Sequence, residues 1–171
     1  MRKRPLPEQD FLAARLRYNP ETGLLHWLPR TPDMCKANSK WTAEQVCAAW
    51  NSKFAGKEAF TAVSRIGYKT GCIGGQVYMA SRIIWKLVHG YDPVEIDHIN
   101  RVKTDNRLIN LREATRSDNC RNRGLLRNNT SGVSGVYFEK SSGLWAVEVN
   151  GKRYGRRKCK NAAIALRNSI T

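Results

Sequence analysis

Apolar runs in this chain are short. Stretches such as "IIW" and "AAIAL" are far below the length a bilayer-spanning helix needs. Any core must therefore be assembled from many short elements. At 41% hydrophobic residues the chain has enough apolar material for that core, which excludes wholesale disorder, and 171 residues allow one or two small domains.

Turn and capping residues divide the sequence. "PEQDFLAARLR", residues 7–17, reads as a helix with Pro7 at its first position and Phe11, Leu12 and Leu16 on one side. "NPETG" is a turn, "LLHWL" a strand, residues 29–40 a loop, and "TAEQVCAAW" a helix capped by Thr42. Strands are predicted at 59–64, 66–72 and 76–80, broken at Gly67 and at Gly74-Gly75. Residues 81–89 read as a helix capped by Ser81 and stopped by Gly90, with Trp85 and Val88 on its buried face. "VEIDHI" is strand-like, a second short strand is expected at 109–113, and 115–123 reads as a helix capped by Thr115 with Asp118 three residues on. Residues 124–132 make the best linker. Beyond them "VSGVYFE", "LWAVEVN" and "KRYGRRK" read as three hairpin-connected strands, and "NAAIALRNS" as a helix capped by Asn161. Trp27, Trp41, Trp50 and Trp85 are assigned to the core, and His26 and His89 to structural roles.

The charge points to a polyanion. Thirty Lys and Arg face 14 Asp and Glu, a net +16, which suits nucleic acid or an anionic membrane. The N-terminus "MRKRPLPEQD" is basic but leads into no apolar segment, so it is not read as a signal peptide. With no spanning segment either, the expectation is an intracellular, cytoplasmic protein that binds nucleic acid and no membrane. Residues 97–120 are nearly balanced, with 5 basic and 4 acidic side chains, whereas residues 121–171 carry 11 and 2. Cys35, Cys47, Cys72, Cys120 and Cys159 are odd in number and form no C-x-x-C pair, which argues against a zinc ribbon or a disulfide framework. They read as free thiols, with Cys47 and Cys72 packed as small apolar residues.

The balanced segment, "EIDHINRVKTDNRLINLREATRSDNCRN", holds one Asp-His pair and a trail of asparagines, poor formers of helix and strand. Phosphodiester hydrolysis requires a base for water, neutralisation of charge on phosphorus and stabilisation of the leaving oxygen. Neutral histidine is the natural base, provided its second ring nitrogen is held. A hard divalent cation takes a carboxylate and amide carbonyls. Asp97, His98 and two asparagines supply such a set. On a strand, Asp97 and His98 point to opposite faces. An asparagine on the helix at 115–123 would complete the metal site, and one on the opposing strand would orient the histidine.

"IDHIN" followed by "DNRLINLREATRSDNCRN" resembles the HNH endonuclease motif in the version common in phage and intron-associated, homing-type enzymes. The resemblance implies an α+β fold with a ββα-metal core of two antiparallel strands and a helix. It makes His98 the general base, Asp97 a metal ligand, Asn110 the residue orienting the base, and Asn119 the second metal ligand. Many members carry His at the last position, and Asn there implies one Mg²⁺ or Mn²⁺ per site. "NPETGLLHW", "FAGKEA" and "YMASRIIWKLVHG" resemble the N-terminal part of phage HNH proteins, which often have His-Arg where Ser81-Arg82 stands here. "SGVSGVYFEKSSGLWAVEVNGKRYG" resembles an AP2-type DNA-binding domain with a short closing helix.

These readings divide the chain into an N-terminal α/β region (1–94), the HNH motif (95–124) and an AP2-like module (125–171). The expected activity is metal-dependent cleavage of double-stranded DNA, by nicking or by a double-strand break, with 5′-phosphate and 3′-hydroxyl products and no small-molecule cofactor. A monomer is weakly favoured. The competing reading is a catalytically silent DNA-binding protein on the same scaffold. Expected DNA contacts are Arg82, Arg107, Arg121, Arg123, Trp145, Lys152, Arg153, Tyr154, Arg156, Arg157 and Lys158. On a regular strand Lys152, Tyr154 and Arg156, continuing to Lys158, would share one face. Asn106, Asn122 and Asp105 read as residues bracing the loop and helix, and Arg107 as a brace first and a phosphate contact second.

Overall fold

The computed structural model describes residues 5–122, 124–125 and 128–170, with the backbone but not the side chain of Arg121. It is a mixed α/β chain in two compact units, Met1–Asn122 and Arg123–Thr171. The expected region 1–94 and the expected motif region 95–124, as far as Asn122, thus fall in one unit. Among the described residues no helix is long and apolar enough to cross a membrane.

The first unit opens with helix α1 (Gln9–Ala13) and the hairpin β1 (Leu16–Asn19) and β2 (Leu24–Trp27), whose second strand also pairs with β3 (Glu58–Ala59). The first helix is shorter than expected because Leu16 begins a strand. Helix α2 (Ala43–Phe54) starts at Thr42, the predicted cap, and a capping box with Gln45 completes its first turn. A second antiparallel sheet joins β4 (Ala62–Val63), β5 (Lys69–Ile73) and β6 (Gln76–Met79), which leads straight into α3 (Ala80–His89). Because β6 runs into α3 without a loop, the cap position falls on Met79, and Ser81 is buried inside the helix rather than capping it. Gly90 ends α3 in the left-handed conformation, as expected. The strands β7 (Ile96–His98) and β8 (Leu111–Glu113) then pair antiparallel, and α4 (Arg116–Arg121) follows from a Thr115–Asp118 capping box.

The core of this unit gathers Leu12, Leu16, Leu25, Phe60, Ile73, Ile83, Ile84 and Leu111. Each such side chain contributes roughly 1.5–3 kcal/mol on full burial. Leu111 brings β8 into that core, so the β7–β8 pair sits on packed side chains rather than at a loose edge. Trp85 is buried as predicted, but Val88 is 43% and Trp41 51% exposed. Cys47 is buried and Cys72 lies exposed on β5.

In the second unit β9 (Val136–Glu139), β10 (Leu144–Val149) and β11 (Lys152–Arg157) form an antiparallel sheet with β10 central, and α5 (Lys160–Asn168) packs on one face. Asn150 and Gly151 both take positive φ at the tight turn, as the "NG" pair predicts. The α5 cap is Cys159 rather than Asn161, one helical residue preceding Asn161. Trp145 is half-buried and packs against the core of Val136, Val147 and Ala163 and against the Phe138 ring at 5.4 Å. β11 carries one extra residue against β10: Arg153 pairs with Glu148 and Gly155 with Val147, leaving Tyr154 as the bulge. The expected single face of Lys152, Tyr154 and Arg156 is therefore broken. Instead Arg153 and Arg156 converge on Glu139, with contacts of 3.0 and 2.7 Å, and Arg153 also reaches the Tyr137 hydroxyl at 3.0 Å. Lys158 lies past the end of the strand.

The β1–β2 turn has a structural task in the first unit. Gly23, at φ +72°, lies so close to the chain at Asn106–Arg107 that a Cβ there would fall 2.5 Å from the Arg107 nitrogen. The Tyr18 hydroxyl, from the same hairpin, accepts the Leu108 N–H and donates to the Asn106 carbonyl, each at 3.0 Å. Gly23→Ala should destabilise the protein by about 1–3 kcal/mol, measured as a lower midpoint of urea unfolding. An unchanged midpoint would mean that this close approach is not maintained in solution.

Candidate active site

The site is built where β7, β8 and α4 meet. Asp97 is opposite Arg112 and His98 is opposite Leu111 in the β7–β8 register. Both Asp97 and His98 are buried, at 5% and 4% exposure, and as neighbours on a strand they point to opposite sides.

On one side, Asp97 faces Arg112 and α4. Arg112 donates from Nε and Nη2 to Asp97 Oδ2 at 2.9 and 2.7 Å. Asn122, the residue that ends α4, places Nδ2 at 2.9 Å from both carboxylate oxygens and 2.8 Å from the His98 carbonyl. One turn earlier on the same side of α4, Asn119 donates from Nδ2 to Glu95 Oε2 at 3.0 Å. Asp97 and Asn119, expected to share a cation, therefore each hold a different neighbour. The reason is that Arg112 and Asn122 already satisfy the buried carboxylate. Among the described residues no group of three or more His, Cys, Asp or Glu side chains could hold a metal ion. A cation here would depend on carboxylate and carboxamide oxygens together. The oxygen-bearing side chains here are Asp97, held by Arg112 and Asn122, and Glu95 and Asn119, held to each other; they are of the type a hard divalent ion takes.

On the other side, the His98 Nε2 lies 3.1 Å from Asn106 Oδ1. This corrects the expected partner. Asn110 does not reach the imidazole; it holds the intervening loop, accepting the Asn100 N–H at 2.8 Å and donating to the Asp105 carbonyl at 2.7 Å. The loop folds back far enough to place Asn106, only 2% exposed, at the Nε2 edge of the ring. With Asn106 Oδ1 facing it, the Nε2–H tautomer of His98 would donate to that oxygen and leave the lone pair on Nδ1. The Tyr68 ring lies 5.6 Å from the imidazole, with Lys103 Nζ 5.0 Å from the Tyr68 centroid. Burial pushes the His98 pKa below its ordinary value, against the raising effects of the Asn106 hydrogen bond and of Asp97 and Asp105. Burial likewise raises the Tyr68 hydroxyl, with further upward pressure from Asp97 and Glu95.

The basic residues near this centre are largely engaged. Arg107 donates from Nε and Nη2 to both oxygens of Asp105, at 2.8 and 2.7 Å, and holds that carboxyl far below the usual carboxylate range. Its bracing role is the one observed. Arg82 donates to the Pro93 carbonyl at 3.0 Å, which ties α3 to the entry of β7. Arg123 and the Arg121 side chain lie outside the described residues. In the second unit Lys152, Tyr154 and Arg157 are exposed. Arg112 and Glu95 join this centre without being marked by the motif. The signal for Arg112 was its antiparallel register opposite Asp97, which requires knowing where the loop ends.

Residues 78–121, from β6 to α4, match a protein-family model described as HNH endonuclease. That segment contains Asp97, His98, Asn106, Asn110, Arg112 and Asn119. It ends before the second unit, whose three strands and helix find no counterpart in the comparisons. No curated protein and no solved structure matches the chain.

NMR titration of the imidazole should give His98 a midpoint below about 6.5, the ordinary histidine value. It should keep the Nε2–H tautomer above that midpoint. A midpoint at or above the ordinary value would contradict the buried ring described here.

Proposed function

We propose that this protein is a metal-dependent DNA endonuclease of the HNH type, with His98 as general base. The observation that carries this reading is a buried histidine whose Nε2 is held by Asn106 Oδ1, beside the buried carboxylate of Asp97, within the segment that matches the HNH endonuclease model.

The ring tautomer leaves Nδ1 to take a proton from water as the water attacks phosphorus. Because burial keeps His98 neutral to lower pH than usual, the base is ready throughout the neutral range. Asn106 positions the ring, and Asn110 acts through the loop that carries Asn106. Asp97 and Asn119, with Glu95 adjacent, would hold a divalent cation, Mg²⁺ or Mn²⁺. Such an ion would supply charge neutralisation at the phosphate and for the leaving oxygen. The products are a 5′-phosphate and a 3′-hydroxyl. The second unit, with its basic sheet and closing helix, serves as the DNA-binding module, and double-stranded DNA is the substrate. Its contacts come from Lys152, Tyr154 and Arg157, and from Arg153 and Arg156 presented by Glu139.

In a plasmid-relaxation assay the wild type should cut with Mg²⁺ or Mn²⁺ and not with EDTA, and His98→Ala should slow cutting by roughly 10²–10⁴-fold. Asn106→Asp should move the acid limb of the rate profile to higher pH, because a negative neighbour favours the protonated, inactive imidazole. Equal cutting by wild type and His98→Ala would remove His98 from the mechanism. Absence of metal-dependent cutting would favour a DNA-binding protein without catalysis. Truncation after Leu126 should weaken DNA binding and flatten its salt dependence, as phosphate contacts are lost. Unchanged affinity and slope would assign the second unit another task.

A further inference from the structure

Arg112 sits where a metal-dependent site would need its cation. Both of its donated hydrogen bonds fall on a single oxygen of Asp97, Oδ2, rather than spanning the carboxylate. The two side chains differ sharply in exposure, 46% for Arg112 and 6% for Asp97. Arg112 also lines an open pocket together with Glu113, Ala114, Asp118 and Asn122. The arginine can therefore move into solvent without unfolding its surroundings, whereas the aspartate cannot.

Two tasks are separated at this carboxylate. Asn122 fixes its position, through Nδ2 at 2.9 Å from each oxygen and 2.8 Å from the neighbouring backbone carbonyl. Arg112 neutralises its charge. A buried carboxylate left without a counter-charge is strongly unfavourable, so a site that waits for a metal ion requires a substitute cation. The substitute must be able to leave, and the carboxylate must not follow it. A partly exposed arginine on the opposite strand, together with an amide anchor on the helix, meets both conditions.

We propose that Arg112 is a resident counter-cation of Asp97 that exchanges with the divalent metal, and that the displaced guanidinium then binds a phosphate of the nucleic acid. The proposal rests on the metal-dependent nuclease reading above and adds the order of events: cation exchange at Asp97 Oδ2, then phosphate capture. Guanidinium is suited to both partners, since carboxylate and phosphate present the same paired-oxygen geometry to it.

The test uses the full chain and Mn²⁺ as the probe. Arg112→Met removes the competitor, so Mn²⁺ should bind at least about tenfold more tightly than to wild type, measured by electron paramagnetic resonance of free Mn²⁺. Arg112→Met should melt at a lower temperature than wild type without metal and gain more from added Mn²⁺. At saturating metal its KM for DNA should rise, because the phosphate contact is gone. A structural role alone would predict unchanged or weaker Mn²⁺ binding, and either result overturns the proposal. A second measurement needs no variant: on adding Mg²⁺ to wild type, the Arg112 Nε–H resonance should lose its hydrogen-bonded shift, and a resonance that stays in place also overturns it. If wild type cuts DNA with metal while Arg112→Met binds Mn²⁺ no more tightly, only the exchange fails. If neither protein binds Mn²⁺ or cuts, the nuclease reading fails and the exchange with it.

Discussion

Burying a carboxylate obliges a fold to supply donors for it, and the arrangement of β7, β8 and α4 follows from how Asp97 is supplied. Its 5% exposure excludes water as the main partner. The antiparallel register sets Arg112 directly across the ladder, and the end of α4 sets Asn122 against both oxygens and the next carbonyl. These contacts tie two strands and a helix to a single side chain. The capping box at Thr115 and Asp118 then fixes where α4 starts, so Asn119 and Asn122 fall at defined heights beside Glu95 and Asp97. The opposite face of the same strand carries His98, which inherits its position from this arrangement.

Much of this was legible in the sequence where the physics is local. The helix caps at Thr42 and Thr115, the glycine stop after α3, the "NG" turn and the strand at "IDH" depend on neighbours a few residues away, and all appear as read. The spacing of the asparagines singled out a segment that lies largely within the stretch matching the HNH endonuclease model. What sequence could not supply was the path of the loop from Asn100 to Arg107, which decides which asparagine meets the ring. Asn106 reaches His98 because Asn110 clamps the loop at Asn100 and Asp105, so the residue expected at the histidine instead builds the turn that delivers another. Arg112 was hidden for the same reason. In the second unit one inserted residue at Tyr154 reassigns the side chains along β11, which no alternation rule applied to "KRYGRRK" anticipates.

The second unit shows how net charge and available charge differ. Residues 121–171 carry 11 basic side chains against 2 acidic ones, yet both glutamates lie on the sheet and meet the same cluster. Glu139 takes Arg153 and Arg156, and Glu148 takes the Tyr137 hydroxyl at 3.1 Å. The two arginines are consequently held in place by the sheet's own glutamate. Lys152, by contrast, lies over the Tyr154 ring at 5.5 Å, a weak exposed contact.

The support for His98 reaches well outside the segment that carries it. The hydroxyl of Tyr18 grips the chain on either side of Arg107, and the Gly23 turn leaves that chain no room to shift. Tyr68 faces the imidazole, and Asn122 stands one residue beyond the family match. The recognisable motif is therefore not a portable module. A peptide excised at residues 78–121 would keep the Asp-His pair and its asparagines in order while losing the hairpin, the aromatic wall and the amide anchor that give them a shape. Transplanting this chemistry to another scaffold would require moving the β1–β2 hairpin along with the motif.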